Sequence, residues 1–174
     1  MISKEMEQLL NEQLNKEFYS AYLYLSMVAY FEDKNLKGFA NYFKVQVQEE
    51  RDHAMMFFRY ISHVQGEIKL QQIDQPNLVF NSPLDVFKEA YKHELFVTKS
   101  IYSIVDLSLD ERDHKTNAFL QWFVSEQAEE ESNMDDNIKK LQLIGDDVRG
   151  LLLLDSELLT RTYTPAANPA MPAE

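Results

Sequence analysis

The chain has 174 residues, 45% of them hydrophobic, which suffices for one domain with a real core and gives no reason to expect two. Its formal net charge of −12 would repel the phosphates of nucleic acid, and the absence of cysteine excludes disulfides, thiolate zinc sites and cysteine-ligated iron–sulfur clusters. There is no basic N-terminus leading into an apolar stretch and no apolar run of about 18 residues, so neither secretion nor membrane spanning is expected, and the cytoplasm is the expected compartment.

Only 4 glycines and 5 prolines are present, so long helices run without breakers and the fold is expected to be all-α. Ser3 can cap a first helix that continues through Leu10, Leu14, Tyr24 and Val28 to about Asp33. Asn35 can cap a second, whose apolar stripe holds Phe39, Phe43, Val47, Ala54, Phe57 and Ile61, with Gly66 as its stop. The third opens at Ser82-Pro83-Leu84-Asp85, a serine cap followed by a first-turn proline and an acid, and runs to about Leu109. A fourth begins near Asp113 and ends at Gly145, carrying Phe119, Phe123, Met134, Ile138 and Leu141 on one face. These form a four-helix bundle over residues 3–144.

Loop lengths set the topology. A few residues join the first helix to the second and the third to the fourth, so each pair is an antiparallel hairpin. About seventeen residues, 66–82, lie between the hairpins. At ~3.3 Å each they can span the ~42 Å of a helix of roughly 28 residues, so one long crossover is expected, packed through Leu78, Val79 and Phe80.

A short fifth helix follows over residues 146–161. Its leucines at 151–154, 158 and 159 point all round the axis, which implies burial by other copies of the chain and hence a homo-oligomer. Residues 162–174 alternate Ala, Pro and polar side chains and are expected to form a mobile tail outside a single domain of residues 1–161.

The chemistry lies where the apolar stripes are interrupted. Glu17 falls three residues after Leu14 and four before Ala21; Glu94 falls three after Tyr91 and four before Thr98; Glu130 lies between Phe123 and Met134. Glu50 and His53 form a Glu-x-x-His, whose spacing places both side chains on one helix face. Each acid points inward near the middle of its helix. Converging buried carboxylates repel one another and demand a cation or protons, so the pattern points to metal, with a set of hydrogen-bonded carboxylates as the competing reading. One metal can take Glu17, Glu50 and His53, and a second Glu50, Glu94 and Glu130, with Glu50 bridging. Two ferrous ions can each give an electron to one dioxygen. Gln127 is neutral and is expected to hydrogen-bond beside the metals.

These residues and their surroundings resemble the prokaryotic-type non-haem ferritins over residues 1–161. The similarity is carried by Asn11-Glu12-Gln13 through Glu17-Phe18-Tyr19-Ser20, Gln48-Glu49-Glu50 with His53, Tyr91-Lys92-His93-Glu94, and Phe119 through Gln127 with Glu129 and Glu130. The resemblance implies a ferritin-like bundle and a ferroxidase centre of Glu17, Glu50, His53, Glu94, Gln127 and Glu130. It further implies a third iron site at Glu49, Glu126 and Glu129 with Glu130, and a redox or hydrogen-bonding role for Tyr24. It also implies a shell of twenty-four subunits whose fifth helices line a symmetry axis, storing ferric oxyhydroxide mineral.

Haem is not expected, because bacterioferritins place a second Glu-x-x-His on the fourth helix and a methionine after the second-helix glutamate. Gln127-x-x-Glu130 and Arg51 stand in those places here. Met55, Met56 and Met134 read as core filler, and Trp122 as packing. His63, His93 and His114 lie off the acidic stripe and are expected at the surface or beside the centre. In the run Glu129-Glu130-Glu131, Glu130 is expected to point inward, Glu129 with Glu126 to one flank, and Glu131 outward. The alternative function for the same ligands is a di-metal oxidase acting on an organic substrate; a purely structural helical assembly would leave the buried acids unexplained.

Overall fold

A computed structural model describes residues 2–170. Five helices follow one another: α1 (Lys4–Asp33), α2 (Lys37–His63), α3 (Pro83–Asp110), α4 (His114–Ile144) and α5 (Val148–Leu158). Among the described residues there is no strand. The caps at Ser3 and Ser82 each accept a backbone N–H three residues on, as expected, and Asp113 does the same at the start of α4.

The connections between helices differ from expectation. Asn35 does not cap α2; it takes φ 55° just after α1, and Gln65 and Arg112 do the same after α2 and α3. A left-handed residue closes the last turn of a helix and frees the chain to reverse, a task expected of Gly66 but carried out by Gln65. Only after α4 does a glycine, Gly145 at φ 55°, take that position. The start of α2 is capped from elsewhere: Asp155 of α5 accepts hydrogen bonds from the Gly38 and Phe39 amides at 2.8 and 3.0 Å. That approach is so close that a Cβ on Gly38 would fall 1.5 Å from the Asp155 carbonyl oxygen.

Helix α1 packs mainly on α2, and α3 on α4, so the two hairpins form as expected, while α5 lies across α2 and the end of α4. The crossover between α2 and α3 tracks α1 from its start toward its end. Asn11 bonds to the Glu67 carbonyl and the Lys69 amide, Asn15 to the Gln72 carbonyl, and Ser26 to the Asn77 carbonyl. Of the three apolar residues expected to anchor it, only Phe80 is buried, edge-on to Tyr30; Leu78 and Val79 face outward.

Two apolar clusters fill the bundle. One holds Phe31, Phe39, Phe43, Phe87 and Met134; the other holds Leu10, Phe57, Ile101, Phe119 and Phe123. The inward-facing acids form the polar layer between them. Leu154 and Leu158 of α5 join the first cluster, whereas Leu152 and Leu153 remain 54% and 73% exposed. Residues 162–170, expected as a mobile tail, lie instead along α2 and α4. Tyr163 donates to Asp52, and Asn168 is buried with its amide on the Phe119 carbonyl at 3.0 Å. The remainder of that expected tail, 171–174, lies outside the described residues.

Candidate metal centre

Each helix delivers its acid to the same level. Glu17 on α1, Glu50 and His53 on α2, Glu94 on α3, and Gln127 and Glu130 on α4 are all 3% exposed or less. Glu17, Glu50 and His53 each offer a ligand atom, and these atoms lie within 4.8 Å of one another. The Nδ1 atom of His53 is 3.5 Å from Glu50 Oε2. Its Nε2 is buried without a hydrogen-bond partner, and lies 3.9 Å from Glu126 Oε1. Two carboxylates and an imidazole, all oxygen and nitrogen donors, suit a hard or borderline divalent cation. The His53 ring is braced edge-on by Trp122 and Phe123, with ring centres 5.3 and 5.9 Å away.

The second half of the layer is held by hydrogen bonds. Tyr24 donates to Glu94 Oε1, and Gln127 Nε2 donates to Glu94 Oε2 at 2.9 Å. Glu130 Oε2 accepts from Gln46 Nε2 at 2.9 Å. Thus Gln127 and Tyr24 both act as donors to the Glu94 carboxylate. Glu94 and Glu130 do not join the three-residue cluster around Glu17.

Sequence reasoning missed Gln46 and Gln13, which lie four residues before Glu50 and Glu17 on the same faces. Both are fully buried, and Gln13 Nε2 donates to Glu17 Oε1 at 2.7 Å. For Gln13 the signal was present in that spacing, since residues four apart on a helix are neighbours, whereas Gln46 reaches across to Glu130 on α4. His93, grouped with surface or neighbouring histidines, is buried against the Ser20 hydroxyl at 2.7 Å and between the Tyr19 and Tyr24 rings. Glu131 does not point freely outward; it accepts from the Thr98 hydroxyl at 2.5 Å.

The electrostatics follow from burial. Desolvation lifts the pKa of Glu50 well above its ordinary value, and the charges of Glu94, Glu17 and Glu130 push it further. Burial likewise raises Glu94 to about 7 against the lowering bonds from Tyr24 and Gln127. Glu130 rises to about 8, through burial and then the charges of Glu94 and Glu49. Glu17 is raised by burial and partly relieved by His53 and Gln13. Four carboxyls that resist ionisation in one water-poor layer lack a compensating charge, which a multivalent cation can supply.

The flanking acids behave differently. Glu126 and Glu49 are partly buried, while Glu129 is exposed. The Glu49 carboxylate already has a cation, the Arg161 guanidinium at 2.8 Å, which also stacks 4.4 Å from the Tyr42 ring centre.

The family model described as a ferritin-like domain matches residues 7–144, the stretch that supplies every residue of this layer. The chain belongs to the ferritin family. A bacterial non-heme ferritin of Campylobacter jejuni is 44% identical over 155 residues, covering 89% of this chain and 93% of the relative. One from Staphylococcus aureus is 36% identical over 163 residues, covering 94% and 98%. Among solved structures, an open-pore ferritin of the hyperthermophilic archaeon Archaeoglobus fulgidus superposes with a TM-score of 0.92 at 48% identity, over 93% of this chain and all of that one. A humanized archaeal ferritin gives 0.94 at 50% identity. The matched region of the ferritin family contains all of the bundle but the first three residues of α1, and the structural matches extend past it into α5.

Proposed function

We propose that this ferritin stores iron, oxidising ferrous iron with dioxygen inside each subunit and holding the ferric product as an oxyhydroxide mineral within a homo-oligomeric shell. The observation that carries the reading is the buried meeting of Glu17, Glu50 and His53 beside two further acids whose ionisation is suppressed. One ferrous ion binds Glu17, Glu50 and His53; the second binds Glu94 and Glu130, with Glu50 reaching both and Gln127 donating beside them. To receive the second ion, Glu94 and Glu130 give up part of their present hydrogen bonding with Tyr24, Gln127 and Gln46. Each ion contributes one electron to dioxygen, and the carboxylates favour the more highly charged ferric state. Tyr24 holds Glu94 and is placed beside the reacting pair.

Glu126 and Glu129, with Glu49 and Glu130, form the third iron site of this proposal. Iron there competes with Arg161 for Glu49. A twenty-four-subunit shell and a cytoplasmic location complete the reading. The fold's share of the assembly is the exposed Leu152 and Leu153 on α5 and Leu159 just past its end, together with Leu78 and Val79 on the crossover. Aerobic ferrous oxidation, followed by the rise of ferric absorbance, tests the proposal. Glu17→Ala and His53→Ala are each expected to slow the initial rate at least tenfold, and an unchanged rate in both would sink the centre as assigned.

A further inference from the structure

The orientation of Glu17 is set from outside the acidic layer. Lys16 Nζ donates to Ser100 Oγ at 2.6 Å, Ser100 Oγ donates to Gln13 Oε1 at 2.6 Å, and Gln13 Nε2 donates to Glu17 Oε1 at 2.7 Å. The direction of this chain is not arbitrary. An ammonium has three donors and no acceptor, so the Ser100 oxygen must accept from it and send its single hydrogen onward. The carbonyl end of the Gln13 amide is then occupied, and its NH2 end faces the carboxylate. Lys16 is itself held on α3, its ammonium 5.7 Å from the ring centre of Phe96.

We propose that Lys16, Ser100 and Gln13 form a directional relay that positions Glu17 to receive metal. The inference rests on Glu17 being a metal ligand. Gln13 is a positioning residue acting on Glu17; Ser100 and Lys16 act through Gln13. The arrangement solves a specific difficulty. A lysine placed directly on Glu17 would compete with the incoming cation, whereas a neutral amide orients the carboxylate and leaves its charge for the metal. The relay also ties α1 to α3 at the level of the layer, because Ser100 alone comes from the other hairpin. Without Lys16 the Ser100 hydroxyl can reverse. Without Ser100 the Gln13 amide can rotate and present its oxygen to the carboxylate, turning Glu17 away.

Anaerobic titration of the metal-free full-length protein with Co2+, read by the visible absorption of the bound ion, tests the relay without any oxidation step. Second-layer residues that orient ligands typically change metal affinity about 10–100-fold. Ser100→Ala and Lys16→Met are each expected to weaken Co2+ binding about tenfold, within that range. Ser100→Thr, which keeps the hydroxyl, should restore it. The sign for Lys16→Met is decisive: a lysine felt only through its charge would, once removed, strengthen cation binding, whereas the relay requires weakening. The Lys16→Met/Ser100→Ala double variant should bind no more weakly than Ser100→Ala alone, since both break one path. Helix content by circular dichroism confirms that each variant is folded. Unchanged or tighter binding in Lys16→Met and Ser100→Ala, while Glu17→Ala loses the Co2+ signal, overturns the relay and leaves the ligand assignment standing. An unchanged signal in Glu17→Ala overturns both.

Discussion

The ionisation of the buried acids has a direct consequence for pH. Glu94 and Glu130 titrate near 7 and 8 when folded, against an ordinary value of 4.5, so the folded metal-free chain holds protons that the unfolded chain has released. Such groups stabilise at low pH, and the contribution is lost as pH rises through their folded values. His93 works in the opposite direction: burial holds it down to about 4 from 6.5, so its contribution is lost as pH falls below 6.5. Between pH 6.5 and about 8, where His93 no longer contributes a slope, Glu94 and Glu130 lower the stability as pH rises. The metal-free protein is therefore expected to melt at progressively lower temperature across that window, and a Zn2+-loaded sample to lose the trend; a metal-free midpoint that rises with pH contradicts the assignment. Tyr24 adds a second test at this scale. Its bond lowers the pKa of Glu94, so Tyr24→Phe removes a donor that favours the ionised carboxylate. Metal binding to that variant should shift to higher pH, measured as the midpoint of Co2+ uptake against pH; an unmoved midpoint would mean that Tyr24 does not tune Glu94.

Helix ends show where sequence reading stops at the level of elements. The caps at Ser3 and Ser82 were legible because each acts on an amide three residues ahead, and the start of α4 near Asp113 was legible too. The cap of α2 was not, since its acceptor comes from Asp155, more than a hundred residues later. The left-handed positions at Gln65 and Arg112 were equally hidden, because tertiary packing holds them in a conformation that their side chains do not favour. The Asp155 contact makes a measurable claim. Asp155→Ala should cost about 1 kcal/mol in urea unfolding of the assembled protein, the scale of a lost cap. Gly38→Ala should cost more, because its Cβ meets the Asp155 backbone, which cannot swing aside as a side chain can. Equal stability of Gly38→Ala and the parent would mean that α5 does not seat on α2 as described.

At the scale of the whole molecule, periodicity carried the architecture a long way. The stripes placed four acids and His53 inward on four helices, and the length of the crossover allowed it to run the length of the bundle. What periodicity could not give was which inward groups meet. Residue phase places Glu17, Glu50, Glu94 and Glu130 at one level, but side-chain rotation gathers Glu17, Glu50 and His53 and turns Glu94 and Glu130 toward tyrosine and amide donors. The course of residues 162–170 was illegible for the same reason. Composition alone suggests a loose tail, while Tyr163 and Asn168 find specific partners on α2 and α4. The outward leucines of α5 yield the prediction at this scale. Leu152→Glu with Leu153→Glu places two charges on a face that no part of the described chain covers, and is expected to shift size-exclusion elution from a large assembly to smaller species with helix content retained. Unchanged elution would remove α5 from the assembly surface.

The central claim is that the buried acids exist to hold iron. Crystals soaked with ferrous iron under anaerobic conditions and measured at the iron absorption edge test it most directly. The account predicts an anomalous peak bounded by Glu17, Glu50 and His53, with a second beside Glu94 and Glu130. Iron found only at exposed acids, with the buried layer empty, would contradict it.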